Sequence, residues 1–171
     1  MKPIATPSAP TSPMRVAILT ISDSVTRGER EDVSGPALAA RCKELGWEVT
    51  SALRCSDDPA GVRSQLRTIV DSNRIDLLLT TGGTGLGPRD NTPEATLDVG
   101  ERVIPGLSEE MRRRGAEKTP TALLSRGVTV VRRNALIINL PGSPKGAVES
   151  LDAIARLLPH AVAVLGGASH D

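Results

Sequence analysis

The sequence predicts an α/β protein with three layers, in which helices cover both faces of a mainly parallel sheet. Three observations predict this class: short apolar runs recur along the 171-residue chain, segments with apolar residues at helical spacing separate them, and glycine or proline marks most of the junctions. Runs that are apolar at nearly every position are typical of strands buried on both faces. Strands that alternate with helices favour a parallel sheet with helices packed on it.

The first part of the chain predicts strand, helix and strand. RVAILTI at 15–21 predicts the first strand, and a polar loop is predicted at 22–33. The segment SGP at 34–36 predicts a helix start, because serine or glycine can cap a helix and proline suits its first turn. Gly46 ends this helix, and a second strand is predicted at 48–53.

The middle of the chain continues the alternation. Asp58 and Pro59 predict the start of a helix whose apolar positions share one face, namely Val62, Leu66, Ile69 and Val70. A third strand is predicted at 75–80, followed by a glycine-rich segment and a helix that begins at 92–94 (TPE).

The last part of the chain predicts two helices around a pair of strands. A helix is predicted at 105–117, and strands are predicted at 128–131 and 135–140. Because a tight turn through Arg133 and Asn134 joins these strands, the pair is predicted to be antiparallel. One final helix is predicted after Pro144, with apolar positions at Val148, Leu151, Ile154 and Leu158.

These elements predict one domain at residues 14–166. Residues 1–13 hold four prolines among Ser, Thr and Ala, and such a segment buries too little apolar surface to offset the entropy lost on ordering. We therefore expect a disordered tail there and a short C-terminal tail at 167–171. The sequence shows neither the apolar core of a secretory signal nor a membrane-spanning run, so a cytoplasmic location is expected.

The composition excludes several classes of function. With 21 Lys+Arg against 20 Asp+Glu, the formal net charge is +1, whereas general nucleic-acid binders carry a clear basic excess. Trp47 is the sole aromatic residue, so base stacking on aromatic platforms is excluded as well. Two cysteines and two histidines do not predict a disulfide framework or a zinc site. We expect no nucleic acid and no membrane among the partners.

Four polar segments follow predicted strands, and the carboxyl ends of parallel strands are where such sheets bind ligands. The segments are residues 22–36, 57–58, 82–90 and 141–146. Because these strand ends share one edge of the sheet, we expect the four segments to form one site.

The segment TGGTGLGPRD at 81–90 is a candidate anion cradle. Its closely spaced glycines allow backbone N–H groups to approach an anion, and its threonines add hydroxyls. It lacks the Lys-Ser/Thr of a Walker loop and the third glycine of a dinucleotide fingerprint. A flexible strand-to-helix turn remains the alternative.

Asp57 and Asp90 are the candidate metal ligands. Asp58 is the better cap for the helix that begins at Pro59, which leaves Asp57 without an obvious structural role. Asp90 could instead be only a helix-end carboxylate, stabilised by the helix dipole. Two carboxylates beside an anion cradle could hold Mg²⁺ through a few oxygens and waters.

Two further segments point to phosphate and nucleotide binding. In PGSPKG at 141–146, the helix N-terminus favours an anion and Lys145 supplies a positive charge, with an ordinary turn as the alternative. Asp23, with Ser22 and Ser24, could hydrogen-bond a ribose or a polar ring, or form an Asx-type turn.

Other features are predicted to be structural. The arginines at 112–114 predict a solvated helix face, with a subunit contact or a phosphate contact as lesser alternatives. Cys42 is predicted to pack in the core, and Cys55 to pack rather than to sense the site.

Four motifs resemble those of the molybdopterin-binding Mog/MoaB family, which includes bacterial molybdopterin adenylyltransferase and the G domains of plant and animal molybdenum-cofactor synthesis proteins. The motifs are ISDS at 21–24, DVSGP at 32–36, TTGGTG with RDNTPEAT between 80 and 96, and INLPGSPK at 138–145. The similarity covers residues 15–165, nearly all of the predicted domain.

The resemblance implies an α/β/α sandwich and a reaction in which molybdopterin and ATP give molybdopterin-AMP and pyrophosphate, with Mg²⁺. It implies that Asp57 and Asp90 are the essential acids. It also implies a homotrimer, and a molybdenum-inserting enzyme that acts downstream. The GGTG and PGSPK loops would hold the pterin and phosphate groups, while SDS and SGP would line the nucleotide side. The binding residues so implied are Ser22, Asp23, Ser24, Ser34, Gly35, Thr81, Gly82, Gly83, Thr84, Gly85, Arg89, Pro141, Gly142, Ser143, Pro144 and Lys145.

The chain departs from the family pattern at two positions. Asn91 stands where valine is expected, and Gly115 stands where several members carry a pterin-contacting serine. Some members of the MoaB branch are thought to lack the transferase activity, so a non-catalytic molybdopterin binder remains the alternative. The intact Asp57, Arg89 and Asp90 favour the transferase.

Overall fold

The computed structural model describes residues 12–168. Most of the two predicted tails therefore lies outside the described residues, and the domain boundaries stay a prediction. Within the described range, no helix is long and apolar enough to cross a membrane.

Six strands form one sheet in the order β2-β1-β3-β6-β5-β4. The strands are β1 (Arg15–Ile21), β2 (Glu48–Cys55), β3 (Leu77–Thr81), β4 (Arg102–Val103), β5 (Thr129–Arg132) and β6 (Ala135–Leu140). The pairs β1–β2, β1–β3 and β3–β6 are parallel, whereas β5 is antiparallel to both β6 and β4. The mainly parallel sheet and the antiparallel pair near its edge confirm the sequence prediction.

Seven helices occupy the connections of the described chain. They are α1 (Asp23–Thr26), α2 (Ser34–Glu44), α3 (Pro59–Asp71), α4 (Thr92–Val99), α5 (Pro105–Lys118), α6 (Pro144–Ile154) and α7 (Leu158–Leu165), with 3-10 turns at Pro120–Leu124 and Ala155–Leu157. The helices predicted to begin at 34, 58–59, 92–94 and 105 are present.

Two apolar clusters sandwich the sheet, because successive side chains of a strand point to opposite faces. On β1, Val16 and Ile18 pack in the cluster formed with α2, α5, α6 and α7. Ala17, Leu19 and Ile21 of the same strand pack in the cluster formed with α3 and α4. Helices on both faces of a doubly buried sheet confirm the three-layer fold.

The predicted polar loop at 22–33 contains the short helix α1. Ser22 caps it, with its hydroxyl accepting a hydrogen bond from the Val25 N–H at 3.3 Å, and Val25 is buried. A helix of four residues shows no helical periodicity, so the sequence pattern did not reveal it.

The predicted final helix is divided into α6 and α7. The 3-10 turn at Ala155–Leu157 separates them. Pro159 has no N–H to donate to the Ala155 carbonyl, so a regular helix cannot continue through this point. The two-residue strand β4 was also missed, since two residues are too few to show alternation.

Candidate functional site

Four strand ends lie level at one edge of the sheet. In the registers of the parallel pairs, Ile21 lies beside Cys55, Thr20 beside Thr81, and Thr81 beside Leu140. The polar segments that follow β1, β2, β3 and β6 therefore meet, as the sequence predicted.

Two adjoining cavities open among these segments, and both have the size of small-molecule sites. The first, of about 620 Å³, lies between the loop after β3, the helix α5 and the start of α6. The second, of about 650 Å³, lies between α1, the start of α2 and the same loop. Both are lined by Gly83, Asp90, Gly142 and Ser143, so the cavities meet at these residues.

Most of the predicted site residues line one or both cavities. Those in the first are Gly83, Thr84, Gly85, Asp90, Pro141, Gly142, Ser143 and Lys145. Those in the second are Ser22, Ser34, Asp57, Thr81, Gly82, Gly83, Asp90, Gly142, Ser143 and Pro144. Asp23, Ser24, Gly35 and Arg89 line neither cavity and have other contacts.

The loop after β3 has a defined shape that requires two of its glycines. Gly82 and Gly83 have φ of +104° and +69°. A Cβ on Gly82 would lie 2.3 Å from the Ile21 carbonyl oxygen, and one on Gly83 would lie 2.2 Å from the Thr92 hydroxyl. Thr92 holds this turn, because its hydroxyl donates to the Gly82 carbonyl at 3.0 Å. Gly82 thus permits a close approach to the β1 backbone and Gly83 a close approach to the Thr92 side chain, which a merely flexible turn would not need.

Asp90 closes the same loop from within. Its Oδ2 accepts a hydrogen bond from the Gly87 N–H at 2.9 Å, and a Cβ on Gly85 or Gly87 would come within 2.8 Å of that oxygen. The residue that caps α4 is Asn91, whose side chain makes no capping hydrogen bond. Asp90 is therefore a loop residue that lines both cavities, and its carboxylate does not cap α4.

Asp57 belongs to a charged cluster with Arg89 and Asp23. Its Oδ1 accepts hydrogen bonds from Arg89 Nη2 at 2.7 Å and from Nε at 3.1 Å. The same Nη2 lies 2.6 Å from Asp23 Oδ2, and the Asp57 N–H donates to Asp23 Oδ1 at 3.1 Å. The start of α1, the segment after β2 and the loop after β3 are thereby joined beside the second cavity. The adjacent Asp58 caps α3 as predicted, accepting from the Gly61 N–H at 2.9 Å.

The cluster shifts the protonation of its two acids in opposite directions. Burial raises the pKa of Asp57, the hydrogen bond with Asp23 raises it further, and Arg89 opposes both effects. The pKa of Asp23 is lowered, chiefly by its hydrogen bond to Asp57 and also by Arg89. Ionisation is therefore favoured for Asp23 and opposed for Asp57.

The turn after β6 is fixed by contacts that the sequence did not indicate. The Thr81 hydroxyl donates to the Pro141 carbonyl at 2.6 Å, which ties this turn to the end of β3. Ser143 caps α6, accepting from the Gly146 N–H at 3.1 Å. Lys145 lies one residue inside α6 and lines the first cavity, as expected for a residue that faces an anion.

Sequence reasoning missed several polar residues of the first cavity, half of them on α5 or the 3-10 turn. They are Ser108, Arg112, Thr119, Thr121, Ser125 and Glu149. Arg112, predicted to be solvated, lines the cavity and donates through Nη1 to the Gly127 carbonyl at 2.9 Å. Arg113 does lie on the solvated face, paired with Glu110 and Glu117. The helical spacing of Ser108, Arg112 and Gly115 was the available signal, since these positions share one face.

Gly115 allows α5 to approach the 3-10 turn closely. A Cβ at this position would lie 2.9 Å from the Ala122 Cβ, closer than carbon atoms pack. A serine here would thus need a shift of that turn.

The second cavity contains a buried acid that was also missed. Asp32 accepts hydrogen bonds from the Thr20 hydroxyl at 2.9 Å and from the Gly35 N–H at 3.0 Å. It fastens the start of α2 to β1 and so places Ser34 at the cavity wall. Gly35 leaves room for this carboxylate, because a Cβ there would lie 2.6 Å from Asp32 Oδ2.

Neither cysteine has the environment of a reactive thiol. Burial raises the pKa of both Cys42 and Cys55 to about 11, with the charge of Asp57 adding to the effect on Cys55. Both side chains are therefore thiols at neutral pH.

A metal cage built from protein ligands alone is absent from residues 12–168, where no group of three His, Cys, Asp or Glu side chains converges. Asp57 and Asp90 nevertheless line the same cavity. This donor set fits Mg²⁺ that takes its remaining oxygens from phosphates and water, the usual arrangement for Mg²⁺ with nucleotides.

The sequence and the fold define the class of protein to which this chain belongs. The family described as "Probable molybdopterin binding domain" matches residues 17–160, and the chain belongs to it. This confirms the resemblance carried by the four sequence motifs.

Relatives of known function share most of this chain. Molybdopterin adenylyltransferase of Escherichia coli K12 is 41% identical over 150 residues, which are 82% of this chain and 73% of that protein. A "Molybdenum cofactor biosynthesis bifunctional protein" of Synechococcus elongatus is 35% identical over 98% of this chain, but the chain spans only 53% of its length.

Solved structures of similar proteins share the fold of this chain. The molybdopterin biosynthesis enzyme MoaB of Thermus thermophilus is 48% identical with a TM-score of 0.85, over 92% of this chain and 99% of that one. The molybdopterin biosynthesis Mog protein of Mycobacterium ulcerans is 38% identical with a TM-score of 0.83, over 89% and 99%.

Proposed function

We propose that this chain acts in molybdenum cofactor biosynthesis by transferring AMP from ATP to molybdopterin, with release of pyrophosphate. The observation that carries the proposal is the pair of adjoining cavities that meet at Asp90, with Asp57 on the wall of the second. Two substrates that must react with each other need two sites with a common boundary. The identity to molybdopterin adenylyltransferases supports the same chemistry.

Molybdopterin would occupy the first cavity and ATP the second. The first cavity is lined by two cations, Lys145 and Arg112, beside serine and threonine hydroxyls, a set suited to a pterin that carries a phosphate. The second cavity is lined by Ser22 and Ser34, where sequence motifs placed the nucleotide. The shared glycine loop and the α6 N-terminus would then face the phosphates of both substrates.

The reaction needs positioning and charge neutralisation rather than a covalent enzyme intermediate. A terminal phosphate oxygen of molybdopterin forms a bond to the α-phosphorus of ATP, and the bond from that phosphorus to the bridging oxygen breaks as pyrophosphate leaves. Mg²⁺ would enter with ATP and neutralise phosphate charge. Asp57 and Asp90 would orient the triphosphate through that ion, and Lys145 would hold the attacking phosphate.

A non-catalytic molybdopterin binder is the second candidate. The 48% identity to the MoaB protein of Thermus thermophilus favours this candidate, because some members of the MoaB branch are the ones expected to lack transferase activity. This candidate would use the first cavity and leave the second without a role. The intact Asp57 and Asp90 at the second cavity favour the transferase.

The test is to incubate the purified protein with molybdopterin, MgATP and inorganic pyrophosphatase, and to follow adenylylated molybdopterin by mass spectrometry. We expect the wild type to form product. Asp57→Ala and Asp90→Ala should each lower the rate by about 100-fold or more, the usual order of loss when a group that orients reacting atoms is removed. Asp98→Ala is the control, since Asp98 is an exposed acid on α4 whose nearest cation, Arg63, lies at 3.4 Å.

Two other results would change the assignment. Molybdopterin that is bound but never adenylylated would favour the binder. Full activity in both aspartate variants would contradict the roles given to Asp57 and Asp90.

We further propose a homotrimer in the cytoplasm that delivers its product to a molybdenum-inserting enzyme. Exposed apolar side chains that a subunit contact would cover include Val103, Leu123 and Leu157. Light scattering coupled to size exclusion tests the trimer, and a monomeric mass at micromolar concentration would contradict it.

A further inference from the structure

We propose that Arg126 is the positioning residue for the loop that carries Asp90, although it touches neither cavity. The kinetic part of this inference rests on the proposed function. Arg126 lies between the 3-10 turn and β5, 36 residues after Asp90. It is not among the residues that line either cavity, so any effect on the reaction must pass through the loop.

Arg126 binds the loop at three separate carbonyls. Its backbone N–H donates to Thr84 O at 2.9 Å. Its side chain donates through Nε to Gly85 O at 2.8 Å and through Nη2 to Asp90 O. The remaining guanidinium nitrogen, Nη1, pairs with Glu94 on α4. One guanidinium thus holds both ends of the segment 85–90 and the helix that follows.

Other contacts also hold this segment, but they do not bind the same carbonyls. The Arg89 side chain pairs with Asp57 and Asp23, the Asp90 N–H donates to the Gly87 carbonyl at 3.0 Å, and Asn91 Nδ2 donates to the Pro88 carbonyl at 3.3 Å. Thr92 secures the first glycines of the loop, and the Asp90 carboxylate closes the turn at Gly87. Residues 86–89 are exposed, and Leu86 is 67% exposed. Without Arg126, the carbonyls of Gly85 and Asp90 would lose these donors, and the Asp90 backbone would keep its N–H contact to Gly87 but lose the contact at its carbonyl.

Lysine cannot replace these contacts. The guanidinium presents several N–H donors in a fixed fork, whereas an ammonium is a single point with three donors. The geometry therefore predicts a specific need for arginine at this position.

The test compares Arg126→Met, Arg126→Lys and Glu94→Gln in the adenylylation assay. We expect kcat to fall by about 100-fold in Arg126→Met, because displacement of a reacting group by about 1 Å costs on this order. The fall in Arg126→Lys should be smaller but clear, and KM for molybdopterin should change much less than kcat in both. Glu94→Gln removes the ion pair but keeps the carbonyl contacts, so its kcat should stay close to the wild-type value.

A second measurement does not depend on activity. Hydrogen exchange of the ligand-free protein should show faster exchange of amides in 85–90 in Arg126→Met than in the wild type or in Glu94→Gln. If the wild type makes no adenylylated product, the proposed function fails, and the exchange data alone decide the role of Arg126.

The proposal is overturned by any of three results: unchanged kcat and exchange in Arg126→Met, an equal loss of kcat in Glu94→Gln, or loss of the fold in both Arg126 variants. The last result would make Arg126 a residue of folding rather than of positioning.

Discussion

Asp57 shows how a carboxylate at the site depends on neighbours that are distant in sequence. Asp23 lies 34 residues before it and Arg89 lies 32 residues after it, yet both contact it. Burial raises the pKa of Asp57, and the Arg89 guanidinium lowers it. Arg89 therefore favours the ionised form of Asp57 and opposes the effect of burial on its pKa.

Removal of this cation should shift the acid limb of the pH profile. In Arg89→Gln the pKa of Asp57 rises, so a higher pH is needed to ionise it, and the acid limb of kcat/KM should move to higher pH. This limb reports the free enzyme, before MgATP binds. Arg63→Gln is the control and should leave the limb unchanged, because Arg63 on α3 pairs with Asp98 and is not among the groups that shift the pKa of Asp57. An acid limb that stays in place or moves to lower pH in Arg89→Gln would contradict this account.

At the level of elements, the loop after β3 gains its shape from glycines that lie against neighbouring backbone and side chains. Gly82 contacts the end of β1 so closely that no Cβ fits beside the Ile21 carbonyl. Gly28, in the loop after α1, has a similar positive φ of 73° but open space around it. A substitution at Gly28 therefore tests the backbone conformation alone, whereas one at Gly82 tests the conformation together with a steric clash.

Gly82→Ala should be far more destabilising than Gly28→Ala. The positive φ alone costs about 1–2 kcal/mol at each position. Gly82→Ala must in addition move β1 or the loop, which should raise its total loss above about 3 kcal/mol, beyond the range of most point mutations. Urea unfolding of both variants measures the difference. Equal losses would show that the close approach to Ile21 does not matter.

For the whole molecule, the end of the sheet opposite the site is held by an ion pair between β1 and the start of β3. Arg15 donates to Asp76 through its backbone N–H at 2.8 Å and through Nη2 at 2.9 Å. Burial opposes ionisation of Asp76, but the hydrogen bonds from Arg15 outweigh it, so the pKa of Asp76 lies below its ordinary value. This pair stabilises the fold without contact with either cavity.

The pH dependence of stability should report this pair. Asp76→Asn should lower the unfolding free energy by about 1–3 kcal/mol at pH 7, the usual value of a hydrogen bond to a charged group. Because the folded-state pKa is lowered, this difference is fully present above the ordinary aspartate pKa of about 4 and disappears as pH falls below it. Thermal unfolding from pH 7 to pH 3 measures it, with Asp98→Asn as an exposed control. A difference that stays constant over this range would contradict the assignment, and kcat should be unaffected.

Much of the fold was predictable because its signals are local. β1 is apolar at almost every position, and α3 carries Val62, Leu66 and Ile69 on one buried face. The edge of the sheet that holds the site also followed from local order, since each polar segment comes directly after a strand. The short helix α1, the strand β4 and the break at Pro159 were missed, because a single turn or two residues carry no periodic pattern.

Local patterns were enough to predict the layers, the parallel sheet and the edge at which Gly82, Asp57, Asp90 and Lys145 gather, since burial patterns and turn residues act over a few positions. The folded chain was needed to show that Arg89 joins Asp23 to Asp57, that Arg112 faces a cavity, and that Arg126 binds the Asp90 loop. Each of these contacts joins residues that are distant in sequence, and their charged side chains look the same in sequence as any solvated arginine. The position of a long side chain is set by what folds next to it, and that information lies in packing rather than in pattern.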